Sequence, residues 1–304
     1  GTFYLFASQV ALAPHYTLST NMLSLARGLR YLKPASKAKV VKQNVTKRRY
    51  VSSMYDTGME PLGISTKQVG EAGTKEYRVF FVKDGKQVSP WHDVPLSQGV
   101  SPQGDRLVNM VMEIPKGTRA KLEMLLTEQG NPIAQDTTKS GDLRYMNYSP
   151  VLYNYGFIPQ TWEDPEYVHP DTKLGGDNDP LDIIDIGYRR REVGEVYRVK
   201  IVGALAMIDQ GETDWKILGI ALDDPAAKLI QTVADIEKYK PGITFTLTDW
   251  YKKYKTVDGK PQNTLHFDGQ IQDQEYTLKL IDETHEQWKR IGSDSTLAKK
   301  FYKI

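Results

Sequence analysis

Residues 199–222 read VKIVGALAMIDQGETDWKILGIAL. Residues 199–208 are a nearly continuous apolar run, as a strand covered on both faces would be. Residues 215–222 form a second such run after one short polar break. The break carries Asp209, Glu212, Asp214 and Lys216, so charged groups crowd between two strands that otherwise belong to a core. Outward from this point, strand signals dominate the first half of the chain. Residues 77–82 are aromatic and β-branched, and Asp84-Gly85 after them reads as a hairpin turn. Residues 107–114 alternate, with Val108, Met110, Met112 and Ile114 on one face and Asn109, Val111 and Glu113 on the other. Leu122 and Met124 form a core face from which Lys121 and Glu123 point away.

Helix signals come late. Asp224 can cap a helix with Pro225 at its first position, and Leu229, Val233 and Ile236 repeat at helical spacing before Pro241-Gly242. Asp273 can open a last helix with Tyr276, Leu280, Thr284 and Trp288 on one side. Short strands with two peripheral helices predict a barrel or curled sheet with helices packed outside it.

The composition restricts what such a fold can do. The chain has 304 residues, 39% hydrophobic and 26% charged, and no cysteine. Disulfides, thiolate metal sites and cysteine nucleophiles are therefore excluded. No stretch of 18 uncharged apolar residues occurs, so no membrane insertion is expected. The net charge of +2 hides an asymmetry. Residues 1–55 hold nine of the 40 basic residues and none of the 38 acids, which leaves 31 against 38, or −7, for the remainder. Nucleic-acid binding by that acidic body is disfavoured.

The basic head has the composition of a mitochondrial transit peptide. Leu23, Leu25, Leu29 and Leu32 interleave with Arg27 and Arg30, and Arg48-Arg49-Tyr50 before Val51-Ser52 is similar to a matrix-processing site. Residues 1–55 are thus expected to be a targeting leader to the mitochondrial matrix, with Met22 an alternative start, and residues 56–304 a single domain. A basic arm without an address is the alternative.

The sharpest local feature is Gly176-Asp177-Asn178-Asp179-Pro180-Leu181-Asp182-Ile183, three carboxylates within six residues around a proline. Their mutual repulsion calls for an offset, and a hard divalent cation is the usual one. An EF-hand fails, because Leu181 and Asp182 stand where its loop needs an oxygen ligand and a glycine. Alone, the motif would read as a solvated Asx turn. It does not stand alone: the 209–216 break adds carboxylates, and Lys121, Arg144, Tyr155, Lys216, Tyr254 and Lys255 are residue types that bind phosphate. No G-x-x-x-x-G-K-[ST], H-E-x-x-H or G-x-S-x-G occurs, and the five histidines are scattered. Carboxylates with Lys, Arg and Tyr but no covalent nucleophile point to metal-assisted phosphoryl transfer to water.

With these residues the sequence resembles the family I soluble inorganic pyrophosphatases of the fungal and animal type. The 177–183 motif matches the family signature in full. Glu113-Ile114-Pro115, Ala120-Lys121-Leu122-Glu123, Asn154-Tyr155-Gly156, residues 159–165 and 211–216, and Tyr254-Lys255 match in family order. The basic head makes it similar to the mitochondrial form. The resemblance implies an α+β, mainly β fold: a five-stranded OB-like β-barrel with flanking helices, usually a homodimer. It implies hydrolysis of pyrophosphate with several Mg²⁺ ions. By position, Asp177, Asp182 and Asp214 hold the first metal, Glu123 and Asp209 serve those that arrive with substrate, and Glu113 supports that side. Asp179 is the base for the attacking water, while Lys121, Arg144, Tyr155, Lys216, Tyr254 and Lys255 contact phosphate. Glu163 and Asp164 read as structural rather than catalytic.

The sequence departs from the family pattern at three places. Gln210 stands where glutamate is usual and is expected to face outward. Val151 occupies the place of an aromatic phosphate contact. Lys116-Gly117-Thr118 replaces a more aromatic segment that often belongs to the dimer contact.

Overall fold

The computed structural model describes residues 62–301. The basic leader, its helix and its cleavage site lie outside the described residues. The strands are β1 Ile64–Val69, β2 Arg78–Lys83, β3 Lys86–Val88, β4 Ser97–Val100, β5 Arg106–Ile114, β6 Leu122–Met124, β7 Ile133–Gln135, β8 Asn154–Phe157, β9 Asp182–Asp185, β10 Val196–Asp209, β11 Glu212–Ala221 and β12 Thr264–Leu265. The helices are α1 Val233–Tyr239, α2 Ile243–Lys253, α3 Gln274–Ser293 and α4 Ser295–Phe301.

The two apolar runs are the antiparallel pair β10–β11, turned by Gln210 and Gly211, both at positive φ. From this pair the hydrogen bonds close on themselves. β11 pairs in parallel with β9, β9 with β8, β8 with β5, and β5 returns to β10, giving a ring of five strands. A smaller sheet runs β1–β2–β7–β6. The fold is thus mainly β with helices at its flanks. The Asp84-Gly85 turn does join a hairpin, β2 to β3, with both residues at positive φ.

Both faces of the ring are covered, which explains the unbroken hydrophobicity of the two runs. One apolar cluster takes Val108, Met110, Met112 and Ile217 together with Leu280 and Ile281 of α3. The other takes Val111, Leu218, Ile220 and, from α2, Leu247 and Trp250. β5 therefore has no solvent face. Asn109, Val111 and Glu113, expected opposite the core, are all buried.

Two helical readings differ in outcome. α3 begins as expected, with the Asp273 carboxylate accepting from the Tyr276 amide at 2.9 Å. The expected helix at 224–236 begins only at Val233, where Thr232 and Asp235 form a capping box. Asp224 instead accepts from the Ala226 and Tyr188 amides, each at 2.7 Å, and so ties a turn to the strand exit after β9. Among the described residues no helix is long and apolar enough to cross a membrane.

Candidate active site

Strand register places the charged residues at one end of the ring. Asp214 and Lys216 are two apart on β11 and share a face. Parallel pairing sets Lys216 beside Asp182, the first residue of β9. The Lys216 ammonium bonds both Asp182 and Asp214, and the Tyr155 hydroxyl of β8 donates to the same Asp182 oxygen. Asp209 ends β10 and pairs with Lys255, just beyond α2. From the smaller sheet side, Lys121 bonds Glu123, and Lys121 and Arg144 share Asp136 at 3.0 and 2.7 Å. Glu113 Oε1 accepts from the Met124 amide at 2.7 Å, which joins β5 to β6 below Glu123.

The Asp177–Asp182 loop is held by one bond of its own, from the Asp179 amide to Asp177 Oδ1 at 3.0 Å, and by its neighbour. The Glu163 amide donates to Asp179 O and the Asn178 amide to Glu163 O, both at 2.9 Å, while Gly176 N donates to Asp164 O at 3.1 Å. The chains pass so closely that a Cβ on Gly176 would lie 2.3 Å from the Glu163 carbonyl oxygen. Glycine is required there for close approach rather than for its φ. This clamp sets the Glu163 carboxylate beside Asp177 and Asp214. In that group each residue offers an oxygen, and the three oxygens lie within 4.8 Å of one another.

Burial and crowding dominate the electrostatics. Burial first, then Asp214 and Asp179, raise Asp177 well above the ordinary carboxylate range. Burial, then Asp177 and Asp214, do the same to Glu163. Glu113 is also raised well, by burial and then by Asp182. Asp179 is pushed up to about 7, by burial and then by Asp182 and Glu123. Asp214 reaches only about 6, because Lys216 opposes the effect of burial. Burial lowers Lys216, but Asp182 and Asp214 outweigh it and hold the lysine well above its usual value, firmly charged. Burial raises Tyr155 and Tyr254, which stay neutral donors.

These groups line a cleft of about 200 Å³. Asp177, Asp179, Asp182, Asp209 and Asp214 face Lys121, Arg144, Lys216 and Lys255, with Tyr155 and Tyr254 between. Of the residues singled out in the sequence, only Glu113 and Glu123 stand behind this lining, in contact through β6. Val151 also lines the cleft, as a buried side chain backed by Trp250 and Tyr251, so the aromatic surface comes from α2 instead. Gln210 is exposed but does not turn its back on the cleft: it lies on the rim and accepts from Lys260 at 3.1 Å.

Glu163, expected from the sequence to support the site rather than act in it, stands beside the carboxylates. Its Oε1 accepts from the Trp215 amide at 3.1 Å, and its buried Oε2 has no hydrogen-bond partner. Buried Asp209 Oδ1 likewise has none. Unpartnered buried carboxylate oxygens beside like charges are costly unless a cation completes them. The donor set is all oxygen, without sulfur or histidine, which suits a hard divalent ion.

A carboxylate cluster able to hold a cation, ringed by lysine, arginine and tyrosine at one end of a closed five-strand ring, is the site chemistry of a hydrolase of phosphate compounds. Residues 110–289 match the inorganic pyrophosphatase family profile. The chain is 46% identical to the inorganic pyrophosphatase of Zygosaccharomyces bailii over 231 residues, 75% of this chain and 79% of that one. The solved inorganic pyrophosphatase of Schistosoma japonicum superposes with a TM-score of 0.71 at 39% identity, covering 75% of this chain and 80% of the other. An N-terminally truncated vacuolar soluble pyrophosphatase of Trypanosoma cruzi, solved with PPi, gives 0.72 at 37% identity, covering 76% and 92%. The chain belongs to the family I inorganic pyrophosphatases, of the eukaryotic type, and is a diphosphatase.

Proposed function

We propose that the chain hydrolyses inorganic pyrophosphate to two phosphates in this cleft, with Mg²⁺ and with Asp179 as general base. The observation that carries the reading is the lining itself: five aspartates against four cations around about 200 Å³. Counting Glu113, Glu123 and Glu163, eight carboxylates meet four cations. Without added positive charge such a site repels a pyrophosphate polyanion. Asp177, Asp182 and Asp214 would hold the first Mg²⁺ and Asp209, Glu123 and Glu113 the others, and Glu163 joins the first set because one of its oxygens lies within 4.8 Å of those of Asp177 and Asp214. Bound there, the ions would offset substrate charge and make the attacking water more acidic.

The protein's own groups do the rest. Asp179 lines the cleft beside Asp177 and Asp182 and, ionised once cations offset the crowding that raises it in the metal-free protein, can take the proton of the attacking water. Lys121, Arg144, Lys216 and Lys255 with Tyr155 and Tyr254 grip the two phosphates and stabilise charge on the leaving one. Lys216 is pre-positioned by Asp182 and Asp214, and Arg144 and Lys121 by Asp136, so little reorganisation is needed on binding. Phosphate release from pyrophosphate with Mg²⁺, compared with release from ATP, tests the reading. Turnover of ATP equal to that of pyrophosphate would overturn it.

The leader, its address and the assembly extend the same proposal. Residues 1–55 direct a single domain, residues 56–304, to the mitochondrial matrix, where it works as a homodimer around an OB-like barrel. The acid-free leader composition supports the first part and the family resemblance the second. Import of the full chain, against a chain starting at Val51, tests the address, and light scattering tests the dimer.

A further inference from the structure

A second cavity, of about 570 Å³, opens directly outside the cleft. Arg144, Gln210 and Lys255 line both, so the two cavities adjoin. Their charge differs in sign. The inner lining sets five carboxylates against four cations. The outer one adds Lys139 and Lys260 to Arg144 and Lys255, which pair with Asp136 and Asp209, and has a single carboxylate, Asp258, among the described residues lining it. Asp258 is moreover occupied, accepting from Asn147 Nδ2 at 2.8 Å. Lys260 has only a neutral partner at the rim, the Gln210 amide oxygen.

We propose that this outer cavity is an anion vestibule, with Lys139 and Lys260 as capture residues for the pyrophosphate anion on its way to the cleft. The inference rests on the pyrophosphate reading. Steering must come from outside the cleft, because the carboxylates within it repel an approaching polyanion until metals are in place. A mouth lined by one sign of charge concentrates the opposite ion and raises its rate of encounter. Both lysines act within a Debye length of the entrance at low salt but touch no reacting atom.

The test uses the full chain with Mg²⁺ and pyrophosphate, comparing wild type with Lys139→Glu/Lys260→Glu. The control is Lys299→Glu on α4, whose residues line neither cavity. The expected result for the double reversal is a fall in kcat/KM of about tenfold at low ionic strength, within the usual range of steering. kcat should stay within about twofold, and the deficit should shrink as salt screens the charges. The control should match wild type. An unchanged kcat/KM, a deficit indifferent to salt, an equal fall in kcat, or the same loss in Lys299→Glu would each overturn the vestibule. A wild-type chain that leaves pyrophosphate intact would overturn the underlying function instead.

Discussion

Two carboxylates three residues apart on β9, Asp185 buried and Asp182 half-buried, have opposite surroundings. Asp185 accepts four hydrogen bonds: from the Gly187 and Ala221 amides at 2.8 and 3.0 Å, from Asn154 Nδ2 at 3.0 Å and from the Tyr197 hydroxyl at 3.1 Å. Asp182, at the other end of the strand, has Lys216 and Tyr155 on one oxygen alone and opens onto Asp177, Asp214 and Glu163, where charge is crowded and Glu163 Oε2 is buried without a partner. A buried carboxylate whose lone pairs are filled by protein donors is part of the scaffold. One left short of donors beside its like is kept for something the chain does not itself supply. Asp182-Ile183-Ile184-Asp185 looks nearly symmetrical in sequence, and only the count of donors separates its two ends.

The strongest way to break that contrast is Asp179→Asn. The shapes are nearly equal, so fold and metal binding through Asp177, Asp182 and Asp214 should survive. What is lost is one proton acceptor, and turnover should fall on the order of 10²–10⁴-fold. The residual activity should rise toward higher pH. Asp177→Asn should differ, with a weakened Mg²⁺ affinity that more Mg²⁺ restores. Pre-steady-state and steady-state rates over pH and Mg²⁺ check both. Full recovery of Asp179→Asn by Mg²⁺ alone would make Asp179 a ligand.

At the satisfied end the expected effect is on stability. Asp185→Ala strands two amides, Asn154 and Tyr197 in a buried setting. It should lower unfolding stability by about 3–4 kcal/mol, the range for breaking a buried polar network. Denaturant unfolding with an unchanged m-value would measure it. A loss below about 1 kcal/mol, read against the same principle, would mean that the four bonds are replaceable by water.

How far the chain's own pattern revealed this contrast depends on range. The β10–β11 pair and the Asp177–Asp182 loop are legible because their signals are local: an apolar run, and carboxylates within six residues. The closure of the ring is not. It needs β9, four residues long, in parallel with β11, and a strand that short carries no period of its own. The place of Glu163 beside Asp177 and Asp214 is illegible for the same reason, since the backbone clamp at Gly176 sets it there. The start of α1 differs from the sequence expectation because Asp224 and Pro225 suit a tight turn as well as a helix, and the bond from the Tyr188 amide to Asp224 favours the turn.

A smaller effect follows from pH. Asp179 and Asp214 have metal-free pKa values of about 7 and about 6 against an ordinary 3.8, so the folded state holds these protons more tightly than the unfolded one. Raised carboxylates destabilise the fold as they ionise, so metal-free stability should fall as pH rises through 6 to 7. His92 acts in the opposite sense, since burial lowers it to about 4 from 6.5, and its stabilisation is lost as pH falls below 6.5. The clean window is therefore pH 8 to 6.5. Across it the melting temperature of the metal-free protein should rise by on the order of a few degrees. Asp179→Asn should raise it at pH 8 and flatten the slope, and saturating Mg²⁺ should abolish the slope in the wild type. Calorimetry at three pH values decides it, and a melting temperature that falls toward pH 6.5 would contradict the crowding.

The smallest effect should come from Gln210→Glu, which tests where the crowded region ends. Gln210 sits in the β10–β11 turn at φ 53, exposed, with its amide oxygen accepting from Lys260. A glutamate keeps that oxygen and turns the contact into an exposed ion pair, which is worth little in water. Its neighbour Asp209 already has Lys255, so no new partner is taken from the cleft. The change adds one negative charge at the rim, where Gln210 borders the cleft, and leaves the five lining aspartates in place. Hence kcat and Mg²⁺ affinity should stay unchanged, while kcat/KM for pyrophosphate should fall by no more than a few-fold at low salt, as a single screened charge allows. Titration of activity with Mg²⁺ is the discriminating measurement. A large gain in Mg²⁺ affinity would place position 210 inside the carboxylate cradle and move the boundary between rim and site outward by one residue.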